Sequence, residues 1–133
     1  MFSVTKQINF FDCDPAGVMF FGNIYKLCHS AYEEFINSLN LDFDFWTGNN
    51  FAVPILHSEA DYLQPLKTGD EITIEMSVLS LKKYMYELYF ECKNKNGEVC
   101  DRVKTVHIYI DRETKKKIEV NPNIYAVLQK HLR

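Results

Sequence analysis

The sequence predicts an α+β fold in which an antiparallel sheet wraps around one long helix. Apolar residues recur at every second position in the opening segment and in four later runs, which marks half-buried strands. Before the C-terminus, only residues 24–39 carry apolar residues at i, i+3 and i+4 over a long stretch. The order of these segments is the third observation. A sheet with one apolar face needs a cover, and the single long helix supplies it. A chain of 133 residues suits one domain, taken as residues 1–133.

Each element follows in order. Residues 2–10 alternate, with Phe2, Val4, Ile8 and Phe10 on one face and Thr5, Gln7 and Asn9 on the other. Residues 12–18 form a turn, with Pro15 suited to its second position and Gly17 to its end. The helix is expected from Ile24 to Leu39, capped by Asn23. Its apolar stripe is Ile24, Leu27, Cys28, Ala31, Tyr32, Phe35 and Leu39. The segment "LDFDFWTGNNF" (41–51) reads as an aromatic loop. Strand-like runs follow at 52–63, 71–81, 84–94 and 98–111, expected to pair in sequence as a four-strand meander. "TGD" (68–70) links the first two, and "KNG" (95–97) makes a tight hairpin between the last two, because Asn-Gly accepts positive φ. A charged loop spans 111–119. Asn121 then caps a short terminal helix that has Pro122 in its first turn.

Composition excludes several classes. A net charge of −3 gives no basis for binding nucleic acid or an anionic membrane. The opening "MFSVTKQINF" lacks the apolar run of a signal peptide, and no segment approaches the length of a membrane span. Cys13, Cys28, Cys92 and Cys100 form no C-x-x-C pair, so no zinc site is expected. Free thiols in a reducing cytoplasm are the simple reading.

The stretch "FFDCDPAGVMFFGN" (10–23) sets Asp12 and Asp14 among apolar residues, where a carboxylate is costly unless it is paired or used. "DCDPAGVMFFGN" resembles the signature of the 4-hydroxybenzoyl-CoA thioesterase family of hotdog-fold enzymes: an Asp-x-Asp, a small-residue turn, and an aromatic pair just before the central helix. The likeness covers nearly the whole chain. "CHSAYEEF" (28–35) and "AVPILHSEADYLQPLKTGDEITI" (52–74) further resemble that family's 1,4-dihydroxy-2-naphthoyl-CoA hydrolase branch.

The resemblance implies a hotdog fold, a homodimer or homotetramer with active sites between subunits, and hydrolysis of an acyl-CoA without any cofactor beyond the coenzyme A of the substrate. It implies Asp14 as the catalytic carboxylate and the backbone N–H groups of Phe21 and Gly22 as the donors that polarise the thioester carbonyl. Some branches place a histidine just before the helix. This chain has Phe21 there and must rely on backbone amides. The branch implies an aryl acyl group, with Phe20 as a wall and His57 or Tyr62 as partner to a ring hydroxyl. The "FDFW" segment (43–46) and Phe21 are further candidates for apolar walls.

Other readings stand beside these. Asp14 can serve simply as the side-chain acceptor of its own turn. Asp12 is read as structural, and Cys13 has no histidine nearby in sequence to make it a nucleophile. His57, Glu59 and Asp61 share a strand face, as metal ligands do, but a solvent- or interface-facing row is the commoner arrangement. His29 and Glu33, at i and i+4, are the kind of pair a hotdog dehydratase would use, or a solvated helix face. CoA phosphates call for basic contacts, for which Lys82 and Lys83 are favoured over Arg102, Lys104 and the 115–117 lysines. A thioesterase for medium or long fatty acyl-CoA, or a non-catalytic acyl-CoA-binding module, fits the same apolar walls.

Overall fold

A computed structural model describes residues 1–133. Seven strands and two α-helices follow in chain order: β1 (Phe2–Gln7), α1 (Asn23–Asn37), β2 (Phe51–Ala52), β3 (Ile55–Tyr62), β4 (Glu71–Leu81), β5 (Met85–Lys93), β6 (Val99–Ile108), β7 (Ile110–Asp111) and α2 (Pro122–Lys130). A 3₁₀ turn at Phe10–Asp12 lies between β1 and α1. Five strands form one antiparallel sheet in the order β1-β4-β5-β6-β3, and β2 pairs with β7 in a small ribbon. No helix is long and apolar enough to cross a membrane.

The alternation predicted for the strands is what builds the core. Ile72, Ile74, Met76 and Val78 of β4 and Tyr86, Leu88, Phe90 and Cys92 of β5 are buried on the face toward the helix. Ile24, Cys28, Ala31, Tyr32 and Phe35 of α1 join them in a single cluster. The row of β6 in register with β5 is less apolar. Asp101, Val103, Thr105 and His107 lie opposite Cys92, Phe90, Leu88 and Tyr86. His107 stacks on Tyr86 at 5.0 Å and shares a 2.8 Å hydrogen bond with Thr105, while the Tyr32 and Tyr86 hydroxyls bond to each other. Burial holds the His107 pKa down to about 3, with the His29 charge adding to the effect, so its ring stays neutral in the core.

Several expectations are corrected. The run 52–63 does not pair with its successor. Pro54 separates β2 from β3, and β3 lies at the far edge of the sheet against β6. Residues 63–70 are too long for a tight hairpin, and β1 takes the place beside β4, tied there by Ile8 N–H to Asp70 O and Gly69 N–H to Ile8 O, each 2.8 Å. The first strand stops at Gln7, and Phe10 turns outward into the 3₁₀ turn, 82% exposed. Gly22, not Asn23, is the N-cap of α1, and the Asn23 side-chain amide N–H donates to Asp12 O at 2.8 Å. The helix ends at Asn37, two residues early. Asn40 then reverses the chain with φ of 52°. Asn121 and Pro122 begin α2 as expected. Cys92 lies opposite Asp101, and its sulfur is 3.8 Å from that of Cys28.

Candidate active site

The turn that carries Asp14 is closed by Gly17 N–H to Asp14 O at 2.9 Å. Gly17 has φ of +82°, so a side chain there would strain the turn. Asp14 Oδ1 accepts the Ala16 N–H at 2.9 Å, the self-bonded turn that its position suggested. Its Oδ2 has no hydrogen bond within the chain, so one carboxylate oxygen shapes the loop and the other remains open for chemistry. Asp12 has a different task. Its Oδ2 accepts the Asn9 N–H at 3.0 Å, and its carbonyl accepts both Phe20 N–H and the Asn23 amide. These bonds tie the 3₁₀ turn to the start of α1.

The entrance to α1 presents free donors. The N–H groups of Phe21 and Gly22 donate to no acceptor in the chain, as expected for the first turn of a helix, where the dipole is also positive. The Phe21–Gly22 peptide is nonetheless held in place. The Tyr62 hydroxyl, at the end of β3, donates to Phe21 O at 2.7 Å. In a trans peptide the carbonyl and the following N–H point in opposite directions, so this bond also aims the Gly22 N–H. Tyr62→Phe is expected to lower kcat roughly tenfold with KM little changed, the scale of one hydrogen bond. Steady-state kinetics check it, and a wild-type kcat would show that the peptide is fixed by other means.

Asp14, Phe20, Phe21 and Tyr62 border one cavity of about 430 Å³, with Leu66 and Asp101 also in its wall. Phe20 and Phe21 pack ring to ring at 4.9 Å, and a Cβ on Gly22 would meet the Phe20 ring at 3.2 Å. Asp101 is the charged member that sequence reasoning missed. The signal was present: the period that turns Val103 and Tyr109 inward also turns Asp101 inward.

Other expected site residues lie elsewhere in the chain. His57 is exposed on β3, with Nε2 3.2 Å from Glu59, and does not reach this cavity. Lys104 sits 3.7 Å from Glu59 and 3.8 Å from Glu87, and Arg102 sits 3.7 Å from Glu91, so both strand cations are ion-paired on the outer face. Lys82 and Lys83 are in the β4–β5 turn, at the opposite end of β5 from the strand position beside Asp101. Lys83 pairs there with Glu119 at 3.4 Å. His29 and Glu33 approach to 4.0 Å on a half-exposed helix face. Trp46 and Phe45 of the aromatic loop pack beside Tyr32, away from Asp14.

A carboxylate at the wall of an apolar cavity, with two free backbone donors close by in the chain, is the equipment of acyl transfer, in which one group attacks or activates water and the others hold an oxyanion. Residues 8–128 match the thioesterase-like superfamily, and the chain belongs to that family. Among curated proteins it is 32% identical to the 1,4-dihydroxy-2-naphthoyl-CoA hydrolase of Nostoc punctiforme, over 99% of this chain and 89% of that one. It is also 32% identical to the hydrolase of the same name from Crocosphaera subtropica, over 90% of this chain and 82% of that one. Among solved structures, a 1,4-dihydroxy-2-naphthoyl-CoA thioesterase from Synechocystis superposes with a TM-score of 0.90 at 23% identity, covering 96% of this chain and 95% of that one. A DHNA-CoA thioesterase from Staphylococcus aureus superposes with a TM-score of 0.86 at 18% identity, over 96% and 88% of the two chains. The fold is the hotdog fold.

Proposed function

We propose that this chain hydrolyses the thioester of an aryl-CoA, with 1,4-dihydroxy-2-naphthoyl-CoA or a close analogue as the substrate. The observation that carries the reading is Asp14, with its open Oδ2, and Phe21, with its free N–H, bordering one cavity, with the free N–H of Gly22 next in the chain. The names of the curated relatives support the substrate, and the rings of Phe20, Phe21 and Tyr62 supply walls suited to a flat acyl group.

Two routes use the same atoms. Asp14 Oδ2 attacks the carbonyl carbon, the C–S bond breaks with release of the CoA thiolate, and water hydrolyses the resulting anhydride. Alternatively, Asp14 takes a proton from a water that attacks the same carbon. In both, the Phe21 and Gly22 N–H groups hold the negative charge that develops on the carbonyl oxygen. The products are the free acid and CoA, and the only cofactor-like group is the CoA of the substrate. The test is the specificity constant for 1,4-dihydroxy-2-naphthoyl-CoA against decanoyl- and palmitoyl-CoA. A clear preference for the fatty substrates leaves the reaction class and removes the aryl reading.

The working form is a homodimer or homotetramer in the cytoplasm. In support, β3 is a sheet edge with unpaired backbone groups, and Ile55, Leu56 and Leu63 are exposed along it and just beyond. Sedimentation at micromolar concentration is expected to show no monomer, and an active monomer would contradict the assembly.

A further inference from the structure

Asp101 is 2% exposed, yet its Oδ2 has no hydrogen-bond partner and no cation pairs with it. It sits opposite Tyr62 of β3 and Cys92 of β5, with its side chain in the wall of the cavity that Asp14 borders. Leaving a buried carboxylate unsatisfied is costly. Burial alone raises its pKa from 3.8 to about 6, so at neutral pH it is a desolvated anion awaiting a donor.

The neighbouring groups show which donor is missing. Four polar side chains line the cavity: Asp14, Tyr62, Gln64 and Asp101. Asp14 faces the chemistry. The Tyr62 proton is committed to Phe21 O, and the Gln64 amide reaches Glu98 at 3.4 Å. His57, whose ring would otherwise serve, points away into its contact with Glu59. The Tyr62 oxygen and Gln64 Oε1 keep lone pairs that water can reach, so Asp101 Oδ2 is the one acceptor among these side chains that is buried without a partner. A carboxylate offers lone pairs only, so its partner on a ligand must carry a proton. A hydrocarbon chain or an unsubstituted ring carries none and would leave the charge stranded.

We infer that Asp101 is the specificity-determining residue of the acyl pocket, accepting a hydrogen bond from a ring hydroxyl of the bound aryl group. This rests on the reading of the substrate as an aryl-CoA. Sites built to bond a substrate hydroxyl reject analogues that lack it, because the protein's own polar group is then left unpaired.

The experiment compares 1,4-dihydroxy-2-naphthoyl-CoA with 2-naphthoyl-CoA on the full chain, as wild type, Asp101→Asn and Asp101→Leu. The preference of each variant, divided by that of wild type, cancels the intrinsic reactivity of the two esters. A hydrogen bond to a charged acceptor predicts that Asp101→Leu lowers the preference roughly a hundredfold. The loss should fall on the hydroxylated substrate, with 2-naphthoyl-CoA turned over at least as well as before. Asp101→Asn keeps an acceptor of the same shape and should retain part of the preference. Equal loss on both esters, or an unchanged preference in Asp101→Leu, overturns the inference while leaving the aryl reading intact. A wild type that prefers palmitoyl-CoA to either ring removes both, and that result is visible before any substitution is made.

Discussion

Asp14→Asn is expected to lower kcat by about three orders of magnitude while the fold and the affinity for CoA persist. The change removes the charge and the basicity of Oδ2, and with them either route to the acid product. It spares the structural task. Asn keeps an oxygen where Oδ1 accepts the Ala16 N–H at 2.9 Å, and Asn is as well suited to that self-bonded turn as Asp. The two functions of this carboxylate therefore separate in one substitution. Thermal unfolding should match wild type, CoA should still inhibit as product, and single-turnover hydrolysis should nearly vanish. If the variant hydrolyses acyl-CoA at the wild-type rate, the open oxygen is not the reacting group, and the turn is all that Asp14 serves.

Much of this was legible in the sequence because it is local. The period of two marked 71–81 and 84–94 as strands, on which Ile74, Met76, Leu88 and Phe90 turn inside, and the i, i+3, i+4 stripe marked Ile24, Cys28, Ala31 and Phe35 of the helix that packs against them. The Asn-Gly and Asn-Pro signals marked the hairpin and the start of α2, since both act through the φ values of one or two residues. Strand order was not legible. Whether β3 pairs with β4 or β6 depends on contacts across the whole sheet, and β1 competes for the same edge. The start of α1 was misread by one residue: Asn23 is already helical, and its side-chain amide donates across the turn to Asp12 O, a contact that no window around residue 23 reveals.

The site divides along the same line. Asp14 and the donors of Phe21 and Gly22 lie within one short segment, and the motif carries them together. His57 came from the likeness to the branch and Lys82 from its charge, and neither fixes the direction of a side chain. One side chain faces outward toward Glu59, and the other sits at the far end of β5. Tyr62, read as a contact to substrate, borders the cavity, and its proton is given to Phe21 O. Asp101 was passed over because a charged residue on a strand is ordinarily an outward one. Only the register with Cys92 and Tyr62 shows that it points in.

That inward carboxylate carries a second large prediction, of opposite sign to the usual effect of a core substitution. Replacing Asp101 with Leu should stabilise the protein. The native pKa of about 6 lies above the ordinary 3.8, so between these values the folded state binds more protons than the unfolded state. Stability must then fall as pH rises through that window. The penalty is absent below about pH 4 and complete above about pH 6. Two pH units correspond to about 3 kcal/mol, or on the order of 10 °C in Tm for a chain of this length. Asp101→Leu should gain most of this at pH 7.5. Asp101→Asn should gain less, because a buried amide also lacks a partner. The gain of either variant over wild type should shrink toward zero at pH 4, since every other titrating group is common to both proteins and cancels in the difference. Calorimetry of the three proteins at pH 4 and pH 7.5 reads it directly. An equal Tm at pH 7.5 would mean that Asp101 is satisfied in the assembled protein, and a gain that does not change with pH would trace to packing and not to charge. The predicted gain on replacing Asp101 would mark a trade of stability for function at that position, measurable apart from catalysis.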